Sequence, residues 1–182
     1  STFDHFLELG SSTPLPVQNR YKTPETLGYD RIAAVVGAHT IFPDNDVLVI
    51  DAGTAITYDV VTAGGEYIGG NISPGMNMRF KALHRFTNRL PMLESGENGK
   101  ELWGTSTENA ILSGVINGQV FEIEGFIDEF TGQFNRPRIV LTGGDAKSFE
   151  KTVKNSIYVV SHLRLIGLNR ILEHNAQQTK RE

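Results

Sequence analysis

Apolar and polar positions change period several times along this chain, and each change marks an element. Val47, Leu48, Val49 and Ile50 form an unbroken run of β-branched and aliphatic residues, which predicts a strand. Beyond Thr54 the pattern alternates, Ile56, Tyr58 and Val60 against Thr57, Asp59 and Val61, which predicts a second strand folded back across a tight Gly53-Thr54 turn. Gly64-Gly65 then turns into a third strand over 66–72, ending at Ser73-Pro74-Gly75. Three consecutive strands with short connections predict an antiparallel meander. From there the period lengthens. Met76, Phe80, Leu83 and Phe86 share one face of a helix over 76–90, with Lys81, His84, Arg85 and Asn88 towards another. After a loop containing Gly96-Glu97-Asn98-Gly99, a long helix carries Leu112, Val115, Ile116, Gln119, Val120, Ile123, Ile127 and Phe130 at helical spacing. Residues 137–142 return to strand, 146–154 begin a short helix, 157–160 form a last strand, and Leu163, Ile166, Leu168, Ile171 and Leu172 belong to a final helix. Upstream, Phe6-Leu7-Glu8-Leu9 predicts a short strand, residues 10–16 a loop, and Ile32-Ala33-Ala34-Val35-Val36-Gly37-Ala38 a buried helix. The polar end, 175–182, is expected to fray.

Composition narrows the function classes. The 182 residues are 39% hydrophobic and 21% charged, enough for one globular domain, or one domain with part of a second. A net charge of -4 and a pI near 5.7 leave no general basic footprint, so nucleic acid and anionic membrane are not expected partners. With no cysteine there is no disulfide framework, thiolate metal site or cysteine nucleophile. No basic region followed by a long apolar one opens the sequence at Ser1-Thr2-Phe3-Asp4-His5, and no apolar run approaches membrane-spanning length, so a cytoplasmic protein is expected. His5, His39, His84, His162 and His174 show no metal-ligand spacing, and Asp44-Asn45-Asp46 lacks the glycine and distal glutamate of a calcium loop.

Chemistry-bearing residues gather at the strand ends. Asp51 closes the aliphatic run and is followed by Ala52-Gly53-Thr54. Gly53 lets the backbone approach a phosphate, Thr54 offers N–H and hydroxyl donors, and Asp51 is placed to hold a cation near the anion. Read alone, these residues are also an ordinary hairpin with a turn-capping aspartate. Asp30 falls at the start of the buried helix, where the helix dipole stabilises its anionic form, and Gly28 permits close approach of a ligand. A carboxylate beside Arg31 can accept a hydroxyl proton while the arginine holds a carboxylate or phosphate. The plainer alternative is a helix cap with a surface ion pair. Thr107 precedes the long helix as a cap or a ligand contact. Gly143-Gly144 offers bare backbone to a nucleobase or ribose, or simply a turn. Gly114 and Gly118, four apart, allow tight packing of helix on sheet or of two helices across a dimer.

Taken jointly, Asn19-x-Tyr21, Pro24-x-Thr26-Leu27-Gly28-x-Asp30-Arg31, Asp51-Ala52-Gly53-Thr54-Ala55-x-Thr57-x-Asp59, Gly69-Gly70-x-Ile72-x-Pro74-Gly75, Gly104-x-Ser106-Thr107 and Leu141-Thr142-Gly143-Gly144 make the chain resemble the type III pantothenate kinases of the acetate and sugar kinase, Hsc70 and actin superfamily. The resemblance runs from about Pro16 to His174. It implies an α/β fold: a ribonuclease H-like (actin-like ATPase) lobe, a three-stranded meander then helix-strand-helix, with the mixed sheet flanked by helices. It implies Asp30 as general base on the primary hydroxyl of pantothenate, attacking the γ-phosphate of ATP. Tyr21 and Gly28-Tyr29-Asp30-Arg31 would bind pantothenate, with Thr107 contributed by the other subunit of a homodimer. Gly53 and Thr54 would meet ATP phosphate, Gly143 and Gly144 would lie near adenosine, and Asp51 would bind potassium or ammonium, with Mg2+ accompanying ATP.

Family members open with another lobe whose first strand carries Asp-x-Gly-Asn-Thr, a sequence found nowhere in these 182 residues. The resemblance therefore implies a remnant of that lobe with the pantothenate segment and connecting helix over 1–45, a C-terminal ribonuclease H-like lobe over 46–175, a polar tail over 176–182, and little activity in this chain alone. Two other classes stay open on sequence: a regulatory or transcriptional accessory protein using the Lys81, His84, Arg85 face, and a sugar or acetate kinase on the same fold.

Overall fold

A computed structural model of the protein describes residues 6–94, 101–135 and 137–179; the predicted Gly96-Glu97-Asn98-Gly99 loop, the opening Ser1 to His5 and the last residues of the polar tail lie outside them. Six strands form one mixed sheet in the order β1-β4-β3-β2-β5-β6. Its centre is the predicted meander, β2 (Asp46–Ala52), β3 (Ala55–Val61) and β4 (Glu66–Pro74), paired antiparallel. Three short or parallel additions extend it: β1 (Gln18–Asn19) beside β4, β5 (Pro137–Thr142) beside β2, and β6 (Tyr158–Val159) beside β5.

Both faces of the sheet are covered, which explains the unbroken aliphatic run in β2. Leu48, Ile50 and Ala52, with Ile56 and Tyr58 of β3, pack against α2 (Met76–Arg85), α3 (Thr107–Gln133) and α4 (Ala146–Glu150). Val47 and Val49, with Val61 of β3 and Val140 of β5, pack against α1 (Tyr29–Ile41) and α5 (Leu163–Thr179). Successive strand residues point to opposite faces, so Asp51, Asp59 and Thr142 belong to the α1–α5 side. β1 and α1 are thus built into the same sheet and layer as the strands that follow them.

α1 and α5 approach closely because each contributes a glycine. A Cβ on Gly37 would overlap the carbonyl oxygen of Leu163, and one on Gly167 would overlap that of Ala33. The small residues Ala33, Ala34 and Ala38 complete that buried surface.

Several sequence expectations are corrected. Residues 6–9 form no strand; Leu7 and Leu9 lie irregularly against the α1–α5 core. α2 stops at Arg85, so Met76 and Phe80 are buried while Phe86, at the helix end, is 85% exposed. α5 does not fray at 175: Asn175 Nδ2 donates to the carbonyl of Pro14 at 3.0 Å, and the helix runs to Thr179. Contrary to the expectation from apolar runs, α3 is long and apolar enough by length and composition to cross a membrane. Here it serves as a core helix, with Ile123 and Ile127 almost wholly buried.

Because the α1–α5 spacing leaves no room for a methyl group, Gly167→Ala is expected to cost about 1–3 kcal/mol through overpacking. Urea unfolding should show a lower midpoint with an unchanged slope.

Candidate functional site

Three backbone segments meet at the carboxyl ends of β2 and β5. The β2–β3 turn is closed by Gly53 N–H donating to Ala55 O at 3.1 Å, and Gly75 N–H donates to Thr54 O at 3.1 Å. Asp145 N–H donates to Ala52 O at 3.0 Å. Gly143 sits beneath them with φ +97°, and a Cβ there would overlap Ala52 O; a Cβ on Gly75 would overlap Gly53 O. Only glycine satisfies both the left-handed backbone and the close approach. The result brings together the four residues predicted from sequence, Gly53, Thr54, Gly143 and Gly144, with Thr54 and Gly144 exposed. Gly144 has open space around it and Thr54 is exposed, so the edge presents bare backbone and a hydroxyl, a cradle suited to phosphate and sugar. Asp145, which sequence reasoning passed over, lines the same edge, and its burial pushes its carboxyl upward.

Asp51 lies behind this cradle, 7% exposed. Its Oδ2 accepts from Arg164 Nε at 2.8 Å and from Arg164 Nη2 at 2.5 Å. The residues at Asp51 therefore do not fit the expected potassium or ammonium: the single carboxylate already has its counter-charge. Mg2+ is a different case, since that ion binds largely through nucleotide phosphates and water, and the backbone cradle is compatible with it.

A second group surrounds the start of α1. Leu27 is buried and anchors the approach, whereas Gly28, Tyr29 and Asp30 are exposed. Gly28 is the residue capping the helix, and a Cβ there would meet Asp30 Oδ1 at 2.5 Å. Asp30 Oδ1 accepts from the Arg31 N–H at 2.9 Å. The Arg31 guanidinium points inward, donating from Nη2 to Asp59 Oδ1 at 2.6 Å and from Nε to the same oxygen at 3.1 Å. Tyr67 Oη also donates to Asp59 Oδ1, at 2.6 Å. Burial disfavours the charged guanidinium, but Asp59 outweighs that and holds it above its ordinary value. Burial, with Asp59 beside it, pushes the Tyr67 phenol upward. Tyr21 stacks on Tyr67 at 6.2 Å and lies 5.4 Å from the Arg31 guanidinium carbon. Arg31 therefore does not reach out beside Asp30, as expected from sequence; it braces Tyr21 from behind. Tyr21 also lines a cleft of about 400 Å³ with Arg20, Lys22, Thr23, Gly69 and Gly70.

The family model described as type III pantothenate kinase matches residues 4–129 of this chain. The chain is 52% identical over 171 residues to a type III pantothenate kinase of Phocaeicola vulgatus, covering 94% of this chain and 70% of that one. It is 48% identical over 171 residues to one of Cytophaga hutchinsonii, covering 94% and 72%. This chain belongs to the type III pantothenate kinase family. Its structure is similar to that of a Campylobacter jejuni protein described as a Baf family transcriptional activator, at 26% identity and TM-score 0.64, covering 88% of this chain and 69% of that one. A likeness in fold alone extends to the activator of the 2-hydroxyisocaproyl-CoA dehydratase from Clostridium difficile with bound ADPNP, at 13% identity and TM-score 0.53, covering 84% and 68%. The fold class is a mixed α/β sheet flanked by helices, as expected.

In this family member Thr107 is not brought to Asp30. Ser106, not Thr107, caps α3, its hydroxyl accepting from Asn109 N–H at 3.2 Å. Thr107 is exposed in the first turn, on the layer opposite α1. It lines an apolar groove of about 910 Å³ between α2 and α3 with Met78, Phe86 and Gly114. Below that groove Glu122 ties four elements together. It accepts from Tyr58 Oη at 2.8 Å and Ser73 Oγ at 2.5 Å through Oε1, and from Arg79 Nη2 at 2.5 Å through Oε2. Arg79 Nε also donates to Pro74 O at 2.8 Å, which fixes the segment leading to Gly75. Asp59, Glu122 and Arg164 were missed from sequence. The available signals were a charge inside an alternating apolar strand, an acid in an apolar helix, and a cation in the first turn of a helix.

Two outcomes follow from these charges. Asp59→Asn removes the partner of a buried guanidinium and is expected to cost about 3–5 kcal/mol in chemical unfolding. Burial would raise the Glu122 carboxyl, but hydrogen bonds from Ser73, Arg79 and Tyr58 hold it below the ordinary range. Its stabilisation is therefore full above the unfolded carboxylate value of about 4.3 and is lost as pH falls through the lower folded value. Glu122→Gln should flatten that acid limb in melting curves recorded from pH 6 downward, with roughly 1–3 kcal/mol less stability at neutral pH.

Proposed function

We propose that this protein catalyses the ATP-dependent phosphorylation of pantothenate to 4'-phosphopantothenate, the first step of coenzyme A biosynthesis, in the cytoplasm and as a homodimer. Membership of the family supports the reaction class. The observation that carries the residue-level reading is the state of Asp30: it is exposed on a rigid first turn, accepts one backbone N–H, and among the described residues forms no ion pair. The adjacent guanidinium is committed to Asp59, so it does not neutralise the carboxylate. Asp30 is the general base, taking the proton of the pantothenate primary hydroxyl as that oxygen attacks the γ-phosphate of ATP.

Gly53 and Thr54 receive ATP phosphate, Gly143 and Gly144 lie along adenosine, and Mg2+ accompanies the nucleotide. Tyr21, Gly28 and Tyr29 contact pantothenate. Arg31 holds Tyr21 and the first turn of α1 in register for them. Thr107 serves the site of the other subunit, a reading supported by its exposure on the layer away from Asp30. Catalysis then rests on positioning and on charge stabilisation rather than a covalent intermediate. Potassium or ammonium at Asp51 is left out, because Arg164 already neutralises that carboxylate.

In the complete protein, Asp30→Asn is expected to lower kcat by about 10²–10⁴-fold while calorimetry shows pantothenate affinity changed by no more than about twofold. Wild-type protein that forms no ADP from ATP and pantothenate would overturn the assignment, and full turnover by Asp30→Asn would overturn the role of Asp30.

A further inference from the structure

Arg164 stands in the first turn of α5, where a cation opposes the positive end of the helix dipole, so the placement needs a compensating partner. That partner is Asp51, at the end of β2, directly behind the Gly53-Thr54 turn. Rigid elements deliver the guanidinium there. Val160 N–H donates to Leu141 O at 2.9 Å, and Thr142 Oγ1 donates to Val160 O at 2.7 Å, anchoring the segment that enters α5. One turn further along, Gly167 is pressed against Ala33 of α1, which fixes the rotation of α5. The Asp51 side chain is 10% exposed and that of Arg164 47% exposed: the carboxylate is enclosed, and the guanidinium that closes it keeps donors turned to solvent at the edge of the cradle. A free monovalent ion at Asp51 would have to displace a tethered cation, or share one carboxylate with it against like-charge repulsion.

We infer that Arg164 is the resident cation of this site: its guanidinium takes the place beside Asp51 that a monovalent ion would fill, and nucleotide phosphate binding at Gly53-Thr54 requires no free potassium or ammonium. The inference rests on the reading of that turn as the ATP phosphate site. It makes Arg164 a positioning residue, which holds the Asp51 carboxylate neutralised so that phosphate can approach the turn without meeting an uncompensated anion.

Calorimetric titration of the complete protein with a non-hydrolysable ATP analogue, in potassium chloride and in tetramethylammonium chloride at equal ionic strength, tests this directly. Wild-type affinity should agree between the two salts within about twofold, and its melting temperature should be the same in both. Arg164→Leu should bind the analogue at least about tenfold more weakly in tetramethylammonium, with potassium restoring affinity and raising the melting temperature; Arg164→Lys should stay largely indifferent to potassium. A wild-type protein that loses about tenfold or more in affinity without potassium, or an Arg164→Leu variant that remains indifferent to it, overturns the inference. Phosphoryl transfer to pantothenate in both salts keeps the two readings apart. Turnover that requires potassium removes the role of Arg164 and leaves the kinase standing, whereas absence of both nucleotide binding and turnover in either salt removes both.

Discussion

The Arg31–Asp59 pair is the interaction on which the α1 side of the molecule depends. Both groups are nearly fully enclosed, at 7% and 1% side-chain exposure, and an enclosed charge of either sign is costly unless a partner and further hydrogen bonds complete it. Asp59 receives that completion from Arg31 and Tyr67 together. α1 is thereby held to the middle of β3 at a defined rotation. That rotation is what exposes Asp30 while burying the residue next to it. The same guanidinium backs Tyr21, so the segment before α1 and the helix itself are fixed to one another through a single charged group.

On the other layer Glu122 plays a comparable part with different parts of the chain. Tyr58 of β3, Ser73 of β4 and Arg79 of α2 all donate to it, and Arg79 continues to the carbonyl of Pro74. Between them the two networks grip β3 from both faces. The Gly53-Thr54 turn leads into that strand, and its conformation is set by backbone packing of Gly75 against Gly53 and Thr54 and of Gly143 against Ala52, where a side chain on Gly75 or Gly143 would collide. Polar networks inside the lobe and bare glycine backbone at its edge are therefore parts of one arrangement: the networks hold the strands whose ends carry the glycine turns.

Much of this was legible from periodicity. The meander, the two long helices and the strand at 137–142 follow from runs and alternations that only one backbone geometry can bury, and the glycines of the cradle sit where turns demanded them. The first residues misled because leucines spaced two apart mimic a strand, yet no neighbouring edge pairs with them. Phe86 misled because its helical face ends with the helix itself.

What the sequence by itself determined is the local geometry: where the central strands run and turn back, and where the main helices begin. Those properties are set within a few residues, by sterics and hydrogen bonding along the chain. Charge pairing was decided only in three dimensions. Arg31 and Asp59 are 28 residues apart, Arg79 and Glu122 43 apart, and Asp51 and Arg164 113 apart. No local pattern states which carboxylate meets which guanidinium. Strand register and helix rotation make that choice, and with it they leave Asp30 without an ion pair among the described residues and Asp51 paired with Arg164.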